Sequence, residues 1–234
     1  MKKNISLRAI GLLAAIGFSS ASHATLIDFT GGTVTQFSGA GVTANNTNYN
    51  DADYYVEDGV KFDFIGPAGD PFSYHVGDYY NTGNDVIHGH WAAGPHGDME
   101  SIFVSKVDQS SFDLTYFKIT SNTNIGGGSA SGNEEVYINA LADGTNVSYS
   151  MLLPSDDWGF AGANPEITLG IEFSNILAFS FTYGSNAVGF GLDEFYIDEA
   201  APSPSAVPIP AAAFLFGPAL LGFMGFRRKA NASA

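Results

Sequence analysis

The central part of this 234-residue sequence predicts an all-β fold, an antiparallel β-sandwich of jelly-roll type over residues 25–200. Three observations support the prediction: apolar residues alternate with polar ones, turns rich in Gly, Asn and Asp separate the runs, and no segment has a convincing helical period. Period-two alternation is typical of antiparallel strands that bury one face and expose the other.

The predicted strands follow one another as short alternating runs. Turn sequences such as VEDG at 56–59 and ADGTN at 142–146 separate them, and the polar stretch at 39–53 predicts a loop. The runs are VKFDF at 60–64, FDLTY at 112–116, VYINA at 136–140, VSYSM at 147–151, ITLGI at 167–171 and LAFSFTY at 177–183.

The closing run, VGFGLDEFYIDE at 188–199, changes its buried face part-way along. Its apolar positions are even-numbered up to Leu192 and odd-numbered from Phe195. A β-bulge at Asp193 and Glu194 would absorb this slip, because a bulge adds one residue to one strand. The alternative is that one strand ends there and another begins.

The first 24 residues predict a secretory signal peptide. Three cations precede an apolar run at 9–18, and the small-residue sequence SSASHA follows, which places cleavage after Ala24. The apolar run is too short to span a bilayer, so the folded domain is expected to begin at Thr25.

The exported domain is strongly acidic. Residues 25–206 contain three cations against all 24 acidic residues, a formal charge of −21. Such a surface repels phosphate backbones, which excludes nucleic acid as a partner, and it favours solubility and divalent cations. The chain has no cysteine, which excludes disulfides, a lipid-modified cysteine and a cysteine nucleophile.

Histidines are concentrated in the sequence NDVIHGHWAAGPHGDME at 84–100. On a strand, His88 and His90 project from the same face, about 7 Å apart at the backbone. Paired imidazoles suit zinc, copper or nickel; His75 lies upstream, and Asp98 is a candidate oxygen ligand. No spacing here matches a specific zinc signature, so the alternative is surface histidines that contact a ligand or nothing.

A structural calcium ion is the second candidate metal. Asp28 is on the first predicted strand and Asp193 on the last, and terminal strands commonly neighbour each other in sandwiches of this type. Calcium binds six to eight oxygens from carboxylates, carbonyls and water. The alternative is a solvated acidic rim.

The sequence PSDDWGF at 154–160 predicts a carbohydrate contact. An aromatic ring such as Trp158 stacks on the apolar face of a sugar, and carboxylates such as Asp156 and Asp157 accept hydrogen bonds from its hydroxyls. Trp91 could serve in the same way from another loop.

Catalysis has little support in the sequence. It contains no GxSxG elbow and no serine obviously paired with His and Asp, and no two of the 24 acids stand out as a glycosidase pair. The prediction is therefore a non-catalytic protein, with a polysaccharide-acting enzyme on a jelly-roll scaffold or a metal-dependent binding module as alternatives.

The C-terminal sequence VPIPAAAFLFGPALLGFMGFRRK at 207–229 has 20 residues before its three cations, just enough for a transmembrane helix. A short linker at 201–206 precedes it. The cations are expected to stay cytoplasmic, which places the β-domain on the other side of the membrane. A buried core helix would not need three cations at its end.

This three-part design resembles the PEP-CTERM sorting signal of Gram-negative bacterial proteins associated with exopolysaccharide. The matching positions, besides the apolar run at 211–226, are Val207, Pro208, Pro210, Arg227, Arg228 and Lys229. Ile209 stands where the name-giving motif has Glu, so the sequence looks like the VPxPAAAxLF variant. YVEDGVKFDF, FSNILAFSF and GFGLDEFYI also look like the β-sandwich domains that such proteins carry.

The resemblance implies handling by the secretion machinery and then by an exosortase, a membrane peptidase or transpeptidase acting near 208–210. The protein would cross the inner membrane, stay anchored for a time by its C-terminal helix with the domain in the periplasm, and end at the cell surface or outside. Its expected partners are exopolysaccharide or other matrix components.

Mass spectrometry of the protein isolated from its native cells tests the processing. We expect a mature C-terminus near residue 208, because the hydrophobic tail of such signals is discarded. A mature envelope protein that retains Arg227, Arg228 and Lys229 would instead indicate a permanent anchor.

Overall fold

Fifteen strands and one short 3-10 helix make up the described part of the chain in this structure, a computed structural model. The described residues are 24–44, 50–66, 74–78, 85–91, 99–121, 135–154, 165–184 and 189–203. The chain divides into two compact units, Met1–Ala201 and Pro202–Ala234, and of the second only Pro202 and Ser203 are described. The strands are β1 Thr25–Ile27, β2 Thr33–Thr35, β3 Gly41–Thr43, β4 Asn50–Asp51, β5 Tyr54–Glu57, β6 Val60–Ile65, β7 Tyr74–Asp78, β8 Asp85–His90, β9 Ser101–Lys106, β10 Leu114–Ser121, β11 Val136–Leu141, β12 Tyr149–Leu152, β13 Glu166–Thr168, β14 Ala178–Tyr183 and β15 Gly189–Ile197.

The strands form two antiparallel sheets. The seven-stranded sheet has the order β13-β10-β15-β8-β7-β4, with β1 also paired to β15, and the eight-stranded sheet has the order β12-β11-β14-β9-β6-β5-β2-β3. Apolar side chains of both sheets are buried in one cluster, so the sheets pack face to face as a sandwich. The predicted all-β, antiparallel fold is confirmed; its jelly-roll type stays a prediction.

Phe195 of β15 lies at the centre of this core. Its ring centroid is 5.3 Å from that of Phe117 in the same sheet. It is also 5.2 Å from Phe62 and 5.8 Å from Phe179, both in the opposite sheet. Aromatic pairs at these separations contribute about 0.5–1.5 kcal/mol beyond the burial of their area. Phe195 therefore ties the two sheets together.

The predicted bulge in the last strand is present. The β10–β15 register moves from Tyr116↔Tyr196 to Lys118↔Asp193, so β15 has one extra residue. Glu194 takes a left-handed backbone conformation with φ 48°, and Leu192 and Phe195 are both fully buried. One edge of β15 pairs with β8 before the bulge and with β1 after it. The expectation that the terminal strands are neighbours is thereby confirmed.

Most predicted strands are present, but two edges of the sandwich differ from expectation. The run at 167–171 is strand only to Thr168; Ile171 begins the 3-10 helix Ile171–Phe173 and is 80% exposed. Tyr149, predicted to face inward, is exposed, because β12 is the terminal strand of its sheet. The prediction of a loop at 39–53 is wrong in two places, because this stretch contains the strands β3 and β4.

Among the described residues, no helix has both the length and the apolar character needed to cross a bilayer. The predicted signal peptide, apart from its exposed last residue Ala24, lies outside those residues. So does the whole sorting signal at 207–229.

Gly32 permits a close approach that anchors β2 and β5. Its backbone N–H donates to the Tyr55 hydroxyl at 3.1 Å. A Cβ at this position would lie against that hydroxyl and 2.6 Å from the backbone oxygen of Val56. No side chain fits there without movement of the β5 backbone.

We expect Gly32→Ala to destabilise the protein by about 1–3 kcal/mol, the usual cost of overpacking. Gly41→Ala is the matched control, because the nearest atom to its Cβ would be the Thr33 methyl group at 3.5 Å. Thermal and urea unfolding measure both. Equal stabilities of the two variants would contradict this account of Gly32.

Candidate functional site

Three histidines come together on β7 and β8. The two strands are antiparallel neighbours, and His75 of β7 lies directly opposite His88 of β8. His90 is two residues further along β8 and therefore projects from the same face. The sequence prediction that His88 and His90 share a face of a strand is confirmed, and the structure adds His75.

The imidazoles are close enough to share one ion. The ring centroids of His75 and His88 are 5.7 Å apart, and those of His88 and His90 are 4.8 Å apart. One ligand atom from each of the three residues lies within 4.8 Å of the others. In the described part of the chain, no other group of three or more His, Cys, Asp or Glu side chains meets this condition.

The cluster belongs to a row of residues that crosses four strands. Asp51 of β4 is paired with His75, His75 with His88, and His88 with Gly191 of β15. The Asp51 carboxylate lies 3.0 Å from Nδ1 of His75. On the other side, Gly191 and Gly189 pair with His88 and His90, so β15 presents no side chain to these two imidazoles.

The histidines lie on the face of the sheet that points away from the core. Val76 and Ile87, their immediate neighbours in sequence, belong to the core cluster, and alternate residues of a strand face opposite sides. His75 and His88 are nevertheless 3% and 0% exposed. Burial, together with the neighbouring imidazoles of His90 and His75, lowers the pKa of His88 well below its usual value, which keeps His88 neutral.

The predicted sugar contact of Trp91 is wrong. It is completely buried, and its ring lies 5.3 Å from that of Tyr183. A sugar cannot stack on a ring that packs inside the sandwich, so Trp91 is a core residue. Asp156, Asp157 and Trp158 lie outside the described residues, as do His96 and Asp98.

The proposed calcium ligands lie in two different polar settings. Asp28 accepts a hydrogen bond from the Thr30 N–H at 3.0 Å, and its charge helps to raise the pKa of Glu57. Asp193 is buried at the bulge, where it accepts the N–H of Glu194 at 2.7 Å. A calcium site that uses Asp28 and Asp193 stays a prediction.

No protein-family model and no curated protein matches this chain. Among solved structures, it is similar to the K1 cleaved adhesin domain of Lys-gingipain from Porphyromonas gingivalis W83, with 14% identity over 77% of this chain and 100% of that one, and a TM-score of 0.39. It is also similar to a DUF4465 family protein from Bacteroides caccae, with 13% identity over 75% of this chain and 99% of that one, and a TM-score of 0.38. A Streptococcus pneumoniae fucose binding module has 12% identity over 50% of this chain and 72% of that one, and a TM-score of 0.31.

Glu57, the last residue of β5, is a buried acid. Its carboxylate accepts a hydrogen bond from the Tyr55 hydroxyl at 2.7 Å. Burial, with a contribution from the Asp28 charge, raises the pKa of Glu57 to about 7. Burial also raises the pKa of Tyr55 above its usual range, so its hydroxyl stays a donor.

The raised pKa makes the stability of the protein depend on pH. The folded state binds the proton of the Glu57 carboxyl more tightly than the unfolded state does. The stability that this proton contributes is therefore fully present below about pH 4.5 and is lost as the pH rises through about 7. We expect the difference in the free energy of unfolding, Glu57→Gln minus wild type, to be about 2–3 kcal/mol larger at pH 8 than at pH 5. Urea unfolding at both pH values measures this, with the exposed Glu172→Gln as control, and a pH-independent difference would contradict it.

Proposed function

We propose that this protein is exported, sorted through its C-terminal signal, and acts in the cell envelope or extracellular matrix as a non-catalytic module that binds exopolysaccharide. The observation that carries the proposal is the three-part sequence at 207–229, which follows an all-β domain and resembles a PEP-CTERM signal. The signal peptide and an exosortase would deliver the protein, and a jelly-roll sandwich with a structural calcium ion at Asp28 and Asp193 would form the working domain.

The charge of the domain supports a ligand rich in hydroxyl groups. With a formal charge of −21 over residues 25–206, the domain repels polyanions at low ionic strength. Neutral sugars accept and donate hydrogen bonds without this penalty. Anionic polysaccharides would need bridging cations.

The strands that flank the predicted sugar contact also support the proposal. β12 ends at Leu152 and β13 begins at Glu166, and each is the terminal strand of its sheet. Leu153 is buried, and its N–H donates to the Val136 oxygen at 2.8 Å, which secures the chain just before Asp156, Asp157 and Trp158. Tyr149 of β12 is partly exposed and offers an aromatic ring at the edge of its own sheet.

We expect the purified protein to bind exopolysaccharide from its native cells without shortening it. Because a stacked aromatic ring contributes about 0.5–1.5 kcal/mol, Trp158→Ala should weaken binding by up to about tenfold. Co-sedimentation gives the affinity, and size-exclusion chromatography gives the polysaccharide length. Val107→Ala is the control, because Val107 is an exposed residue of the turn after β9.

Two results would overturn the proposal. If the protein binds no polysaccharide of its native cells, polysaccharide is not its ligand. Depolymerisation that disappears when one carboxylate is replaced by its amide would instead establish a polysaccharide-acting enzyme.

A further inference from the structure

We propose that His75, His88 and His90 form a binding site for one divalent transition-metal ion, with zinc as the best-fitting ion and Asp51 as a positioning residue. The site lies on strands of the described domain and does not depend on the proposed polysaccharide ligand. It is carried by the approach of three imidazoles, whose ligand atoms lie within 4.8 Å of one another.

The separation of the ligand atoms is close to what a bound ion requires. A Zn–N bond is about 2.0–2.1 Å long, so two nitrogens on one tetrahedral zinc ion are about 3.4 Å apart. A contraction of about 1.4 Å from the upper limit of 4.8 Å would bring the three nitrogens around one ion, through rotations of the imidazole side chains. The backbone register of β7 and β8 already places His75 opposite His88.

The donor set selects the class of metal. Three imidazole nitrogens suit zinc, copper and nickel, whereas calcium and magnesium require oxygen ligands. Three protein ligands also leave the fourth tetrahedral position to water or to an outside donor. His90 is only partly buried, so an ion can enter from its side of the cluster.

Asp51 orients His75. Its carboxylate lies 3.0 Å from Nδ1; a small rotation of the ring that forms a hydrogen bond there would hold the proton on Nδ1 and leave the lone pair on Nε2 for the metal. Carboxylates commonly hold metal-binding histidines in this way, and their removal lowers metal affinity 10–100-fold. Asp51 is placed there by its direct pairing with His75 across β4 and β7.

β15 places glycines beside two of the histidines. Gly191 and Gly189 are paired with His88 and His90, and side chains at directly opposite positions of an antiparallel pair share a face. Because glycine has no side chain, neither position places one beside the imidazoles.

The experiment is calorimetric titration of the purified, chelator-treated protein with zinc chloride, and separately with calcium chloride. We expect one zinc ion per chain. His90→Ala should lower zinc affinity by more than the 10–100-fold typical of an outer carboxylate, and because His90 is partly exposed this variant should still fold. Asp51→Asn should lower the affinity 10–100-fold at unchanged stoichiometry, and Asp53→Asn, two residues away, should leave it unchanged.

A second readout identifies the ligands directly. In the protein loaded with copper(II), the electron paramagnetic resonance spectrum should show hyperfine splitting from imidazole nitrogens, reduced in His90→Ala. Zinc binding that persists unchanged in His90→Ala, or no zinc binding at millimolar concentration, overturns the site. Equal affinities of Asp51→Asn and Asp53→Asn overturn the role of Asp51. Circular dichroism confirms that each variant is folded.

Discussion

Strand β15 is the constraint on which both the core and the histidine cluster depend. It pairs with β10 along one edge and with β8 and β1 along the other. The bulge at Glu194 allows Leu192 and Phe195 both to be buried although they are three residues apart. Without the extra residue, one half of the strand would turn its apolar side chains away from the opposite sheet. Phe195 would then no longer contact the rings of Phe62 and Phe179.

Charge imposes a second constraint on the domain. All three of its lysines are already engaged within the fold: Lys61 with Asp63, Lys106 with Asp198, and Lys118 with Glu194. Buried acids that lack a cationic partner of this kind must be stabilised differently. Glu57 accepts a hydrogen bond from the Tyr55 hydroxyl, and its raised pKa favours the neutral form.

The errors of sequence reasoning have identifiable physical causes. Trp91 is predicted to contact sugar from a loop, yet it is an odd-numbered residue next to a strand whose odd-numbered Ile87 faces the core. The alternation that puts His88 and His90 on one face therefore puts Trp91 on the opposite face, inside the sandwich. Tyr149 and Ile171 are predicted to be buried, but Tyr149 lies on β12, a terminal strand with a neighbour on one side only, and Ile171 begins the 3-10 helix that follows β13.

The sequence by itself determined the strand class, the approximate positions of β6 and of β10 to β15, the bulge and the shared face of His88 and His90, because these follow from the local period of two. Only the tertiary structure decided that Asp51 and His75 join them, and that β15 contributes glycines to the same row. The pairing of β4, β7, β8 and β15 joins segments far apart in the chain. Its register follows from packing against the core, which no local pattern encodes.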